Sequence, residues 1–563
     1  MRGFLTVCLL VVGSGCAVTS AQQDVFTPMH IAKTMQVTSA KVSPDGRYIA
    51  YSLSVPRIPH EDDDGPAWAE LHVVDRQGRS RPFVTGEVNV SNIRWTPDGA
   101  GISFLAKRGD DEHKGVYLIP IDGGEARPVA SHDADIKDYS WHPDGQRIAF
   151  TAEEKEDKEK KKLKDKGFAA EVYEEDLRQV RVWITRRDDD EDEPEALDLP
   201  GSATEIHWSP DGSKLVVALA PTPLIDDHYM KRKIHVVDPG GSRILARIDN
   251  PGKLAQVAWS PDSRHIAFVS GADIHDPNAG RLLLVSADGG EIRNLLPNYH
   301  ADVTSIAWRD KDTIMFVGHQ GCYSTFNRVD IDGSNHEMIV GTGGPILGSL
   351  SLADDGFAAA FVADSPQHPR EAFFMQHRDD APRRLTDSNS WVKDMRLAKQ
   401  EVVKYKARDG LDLEGILIRP LDKKPNTRYP LIMSVHGGPE AHRSNGWLTY
   451  YSTAGQVAAA RGFAVFYPNY RGSTGRGVAF SKMGQADYAG GEFDDLVDAI
   501  DHLISTGLID KNKVGITGGS YGGFASAWGA TKLTEHFAAS VMFVGISDLV
   551  SKFGTTDIPN EMQ

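Results

Sequence analysis

The sequence runs to 563 residues, too long for one compact core, and its 40% apolar and 25% charged content is that of a globular protein. Its formal charge of −17 offers no basic face for nucleic acid. These values exclude a disordered chain, a membrane-embedded one and a nucleic-acid binder, and they predict two or more folded domains.

The N-terminus differs in kind from the rest. Arg2 precedes the apolar run FLTVCLLVV, and small residues then lead into AVTSAQQ. That order predicts a secretory signal peptide over residues 1–21, with Thr19 and Ala21 at the cleavage site and Gln22 as the mature start. The run is too short for a stable membrane anchor, and no other stretch is long and apolar enough to span a bilayer. A second reading takes Cys16, after GSG, as a lipid-modified cysteine, although Gly13 suits that signal poorly. The expected location is periplasmic or extracellular. Cys8 and Cys16 fall in the signal region, which leaves Cys322 alone in the mature part. One thiol makes no internal disulfide, so it reads as a small buried hydrophobe.

Residues 22–394 carry a repeat. VSPDGRYIAYSL begins at Val42, WTPDGAGISFLA at Trp95, WHPDGQRIAFTA at Trp141, WSPDGSKLVVAL at Trp208 and WSPDSRHIAFVS at Trp259. Decayed copies follow at Trp308 and Leu352. Proline presets φ and Asp-Gly tolerates the left-handed region, so Pro-Asp-Gly makes a tight reversal. The alternating segment after it reads as a half-buried strand. Seven units of this length predict a seven-bladed β-propeller. The repeated aspartates read as turn residues rather than calcium ligands, and no motif calls for a metal or a cofactor. The longest interval between copies holds EEKEDKEKKKLKDKGFAAEVYEEDL, a solvated charged insertion. Within it, Glu174 and Glu175 are the candidate carboxylates to greet a substrate's free amino end. HEDDDG at 60–65 and DDDEDE at 188–193 read as exposed hairpin tips.

Residues 395–563 change period. EVVKYKARDGLDLEGILIRP predicts two strands around a turn, and PLIMSVHGG and GFAVFYPNYRG are continuous apolar runs suited to strands buried on both faces. In GEFDDLVDAIDHLISTG, Phe493, Leu496, Val497, Ile500, Leu503 and Ile504 share one helical face, with Asp494 and Asp495 expected to complement the helix N-terminus. Strand KVGIT, a turn, a helix from about Tyr521 and strand FAASVMFVGIS follow. Alternating strand and helix predicts a doubly wound sheet.

Ser520 stands in GGSYGGF at the strand-to-helix junction. Gly518, Gly522 and Gly523 let backbone approach backbone there and lift the hydroxyl clear of the sheet. The Tyr521 N–H, at a helix N-terminus, is a natural oxyanion donor, and Gly438 of VHGGPEAH is the expected second donor.

With HGGPEAH, PNYRGSTGRG and GGSYGGF, the chain resembles the prolyl oligopeptidase family, most of all its acylaminoacyl-peptidase and bacterial dipeptidyl-peptidase branches. The resemblance implies an N-terminal propeller, a C-terminal α/β-hydrolase domain, and hydrolysis of short peptides beneath a propeller that excludes folded proteins. Other branches place a tyrosine hydroxyl in the oxyanion hole where this sequence has His436. Family members carry the triad Asp and His after later strands. Here only 43 residues follow Ser520; His536 is expected at the wrong edge of the sheet, and Asp548 reads as a turn or capping residue. The sequence therefore reads as C-terminally truncated, lacking the triad Asp and His and inactive alone. An esterase on the same fold, and a non-enzymatic periplasmic propeller, are the alternatives.

Overall fold

The computed structural model describes residues 24–170, 172–187, 194–376 and 379–562. The expected signal peptide with Cys8 and Cys16, and the acidic run at 188–193, lie outside them.

Seven four-stranded antiparallel sheets occupy 36–84, 91–130, 136–196, 202–248, 254–294, 302–340 and 346–384. Each is a contiguous up-and-down blade. The ring closes by side-chain packing: Val37, Ala40 and Tyr51 of the first blade share a core with Ala360, Val362 and Phe374 of the last. The repeat explains the blades locally. In the intact turns the aspartate accepts from the backbone N–H two residues on, as Asp144 does from Gln146 at 2.8 Å and Asp211 from Ser213 at 2.9 Å. The repeat's tryptophans also stitch blades together. Trp95, Trp259 and Trp308 donate their indole N–H to the carbonyls of Lys41, His207 and Ala258 in the preceding blade. The charged insertion forms an exposed helix, Lys158–Asp165, capped by Asp157.

The second domain holds a six-stranded sheet: β1 (Gln400–Lys406), β2 (Asp412–Ile418), β3 (Tyr429–Val435), β4 (Ala464–Asn469), β5 (Ile509–Gly519) and β6 (Ala539–Phe543), in the order β1-β2-β4-β3-β5-β6. β1 and β2 pair antiparallel, as do β2 and β4, while β4, β3, β5 and β6 run parallel. The helices α1 (Gly491–Ser505) and α2 (Tyr521–Thr531) pack on this sheet, and α3 (Leu549–Thr555) follows β6. The propeller and this α/β-hydrolase sheet are the architecture that the repeat and the change of period predict. One local expectation needs correcting. Asp495 does not complement the N-terminus of α1; it is fully buried and pairs with Arg471 of PNYRG at 2.7 Å, an ion pair no spacing rule reveals.

The segment before the first blade packs away from it. Phe26 lies against Trp391 of the linker and Trp447 of the hydrolase domain. Cys322 is fully buried where the blades meet that domain, with Asn469 Nδ2 donating to its sulfur at 3.3 Å; burial pushes the thiol pKa well up.

Candidate active site

Ser520 joins β5 to α2 with φ 55° and ψ −119°, a strained conformation for a residue with a side chain. It is exposed, and its backbone is tied at both ends: its N–H donates to Phe543 O at 3.2 Å and its carbonyl accepts from Phe524 N at 3.0 Å. The flanking glycines are required by space. A Cβ on Gly518 would stand 2.4 Å from Val435 O, one on Gly522 2.2 Å from the same oxygen, and one on Gly523 2.5 Å from Gly545 Cα. Three backbone segments converge there at distances no side chain permits.

The HGGP loop lies directly against this bend. A Cβ on Gly437 would fall 3.1 Å from Ser520 Cβ and 3.6 Å from Tyr521 N. His436, 1% exposed, anchors the loop: Nδ1 meets Gly437 O and Nε2 meets Ser473 Oγ, both at 2.9 Å, while its ring stacks on Tyr470 at 4.3 Å. Burial holds its pKa at about 3, so this imidazole stays neutral.

Gly438 and Tyr521 line one cavity of about 350 Å³ with Pro439, Glu440, Tyr488 and Glu492, and propeller residues Met230, Lys253, Ile274 and Pro277 line it from the other side. The two domains thus meet over the expected oxyanion donors. Lys253 Nζ reaches Glu440 Oε1 at 3.1 Å and Glu561 Oε1 at 2.9 Å across the cavity, and Lys482 meets Asp273 at 2.6 Å beside it. At another part of the seam His319 Nδ1 meets His442 Nε2 at 3.0 Å, both half-buried, and the buried Asp364, which also faces Arg370 at 3.7 Å, accepts from Trp447 N at 3.0 Å.

Glu174 and Glu175 are exposed and do not line the cavity. Their neighbour Tyr173 reaches the carbonyl of Asp557 at 3.3 Å, which holds their segment near the C-terminal residues. His536 precedes β6 and so sits at the sheet edge opposite Ser520. Asp548 caps α3, accepting from Ser551 N at 2.7 Å. Sequence reasoning did not single out Glu492, Lys253 or His319. The acidic residue in the first turn of α1 was the available signal for Glu492; the other two carry none.

Propeller, hydrolase sheet and serine bend together have the layout of a lidded hydrolase. Residues 449–562 match the model of the prolyl oligopeptidase family, so this portion of the chain is a prolyl oligopeptidase family domain. The chain is 25% identical over 589 aligned positions to dipeptidyl-peptidase 5 of Porphyromonas gingivalis, covering 98% of this chain and 84% of that protein. It is 35% identical over 213 positions to the uncharacterized peptidase YuxL of Bacillus subtilis, covering 38% and 32%. It is 31% identical over 162 positions to the acylamino-acid-releasing enzyme of Sus scrofa, covering 29% and 21%. The stretches shared with the last two therefore span a third or less of those relatives' length. Among solved structures, Pyrococcus horikoshii acylaminoacyl peptidase superposes with a TM-score of 0.75 at 18% identity, over 94% of this chain and 80% of that one. This likeness shows the fold.

Proposed function

We propose that the protein is an exported serine peptidase acting on short peptides through an acyl-enzyme on Ser520. The observation that carries this reading is the exposed serine at φ 55°, next to Tyr521, which together with Gly438 lines a cavity between the propeller and the hydrolase sheet. Ser520 Oγ attacks the scissile carbonyl, and the N–H groups of Tyr521 and Gly438 receive the oxyanion. The Ser520 proton needs an imidazole acceptor. Among the described residues no hydrogen bond from a histidine to Ser520 is present. A propeller that admits only slender chains favours peptides over simple esters as substrates. Glu174 and Glu175 suit an encounter with an entering amino end at the rim rather than a seat within the cavity. Export rests on the order of charge, apolar run and small residues at 1–21, and a mature N-terminus at Gln22 is its test.

The activity test uses the native gene product with chromogenic dipeptide amides and matched esters. Amide hydrolysis lost in Ser520→Ala is expected; turnover of esters alone would make the protein an esterase.

A further inference from the structure

The Tyr521 N–H can receive an oxyanion only if the peptide plane between Ser520 and Tyr521 keeps its orientation, and that plane sits in a strained bend. Something must hold Tyr521. Its ring is buried among Tyr488, Phe493 and Phe524, with centroids 6.2, 5.8 and 5.6 Å away. Its far end is tied as well: Tyr521 Oη donates to Glu492 Oε1 at 2.7 Å.

Glu492 is an unusual residue to find there. It is 2% exposed, in the first turn of α1, and Oε1 also accepts from Ala489 N at 2.6 Å. Its other oxygen, Oε2, has no hydrogen-bond partner among the described residues. A buried carboxyl with one oxygen unpaired costs stability that a leucine or methionine would not. Glu492 and Tyr521 both line the cavity next to Gly438. The bond straps the first turn of α1 to the first turn of α2, so rotating the 520–521 peptide would pull the phenol off its acceptor.

Building on the serine-nucleophile reading above, we propose that Glu492 is a positioning residue of the oxyanion hole, acting through the Tyr521 side chain on the Tyr521 N–H. Burial raises the pKa of both partners, which keeps the phenol's proton on Tyr521 as the donor. Removing an oxyanion donor outright costs on the order of 10²–10³ in rate; a donor kept but loosened loses part of that.

The test measures inactivation of the native protein by an alkyl fluorophosphonate. Ser520 Oγ forms the bond to phosphorus, fluoride departs with the electron pair of the P–F bond, the serine proton passes to the base, and the phosphoryl oxygen occupies the oxyanion site. In Tyr521→Phe, which deletes one oxygen and keeps the ring, kinact is expected to fall about tenfold while KI stays within about twofold. Glu492→Ala should match it, Glu492→Gln should recover part of the loss through its amide oxygen, and the double variant Tyr521→Phe/Glu492→Ala should lose no more than either alone. Unchanged kinact in Tyr521→Phe with a labelled parent overturns the inference and leaves the serine reading standing. A parallel loss in kinact, KI and melting temperature, unrescued by Glu492→Gln, reduces Glu492 to a packing role. A parent that does not label overturns the serine reading, and this inference with it.

Discussion

Glycine does two different jobs in the two domains. In the propeller turns Gly99 and Gly145 sit at φ +68° and +66°; a Cβ on Gly145 would meet nothing within 4 Å, and one on Gly99 only Pro44 at van der Waals distance. There the residue is chosen for its dihedral angle, and the fifth copy shows the requirement is soft, since Ser263 takes φ 60° where other copies have glycine. Around Ser520 the angles of Gly518, Gly522 and Gly523 are ordinary, but a Cβ would lie 2.2–2.5 Å from backbone atoms. Gly99 and Gly145 thus serve conformation, whereas the three glycines at the serine bend serve contact and hold a serine in the conformation a glycine would normally occupy.

The sharpest way to break that contrast is to place a methyl group at each kind of site. Gly522→Ala should cost about 3 kcal/mol or more, because Val435 O belongs to a central strand that is unable to give way. Gly145→Ala should cost only about 1 kcal/mol, the price of φ > 0 for an L-residue. Denaturant unfolding of both variants measures the gap, and equal costs would refute it.

The seam between the domains extends the test. Burial lowers the pKa of both His319 and His442, so the unfolded chain takes up protons that the folded one refuses. Their contribution is therefore intact above the ordinary value of 6.5 and is lost as pH falls below it, by at most about 1.4 kcal/mol per pH unit for each histidine. The buried carboxyl of Asp364, pushed up to about 6, works in the opposite sense. The pair is thus isolated by comparison: His319→Gln/His442→Gln should melt with a flatter dependence between pH 7 and 5 than the parent, and an unchanged slope would count against it. The smallest effect belongs to the blades. Trp259→Phe removes the indole bond to His207 O and should cost about 1 kcal/mol in melting experiments, with no effect on the hydrolase site.

What the sequence made legible follows from how each feature is encoded. Each blade announces itself through a local turn, so four Pro-Asp-Gly turns and three altered copies were enough to predict seven. The serine bend is equally local, with glycines, serine and helix start inside seven residues. Features made by distant segments left no such trace. Asp495 pairs with Arg471, Lys253 spans to Glu440, and Phe26 docks on Trp447, 421 residues on in a sequence with no period connecting them. Asp495 shows the failure plainly: an acid near a helix start reads as a dipole partner unless one knows that the loop after β4 brings an arginine over it.

The central claim is that Ser520 is the acylated residue. Mass-spectrometric peptide mapping of the native protein after fluorophosphonate treatment tests it most directly. The account predicts one adduct, on the peptide containing Ser520, absent from Ser520→Ala; an adduct on another residue, or labelling that survives that substitution, would contradict it.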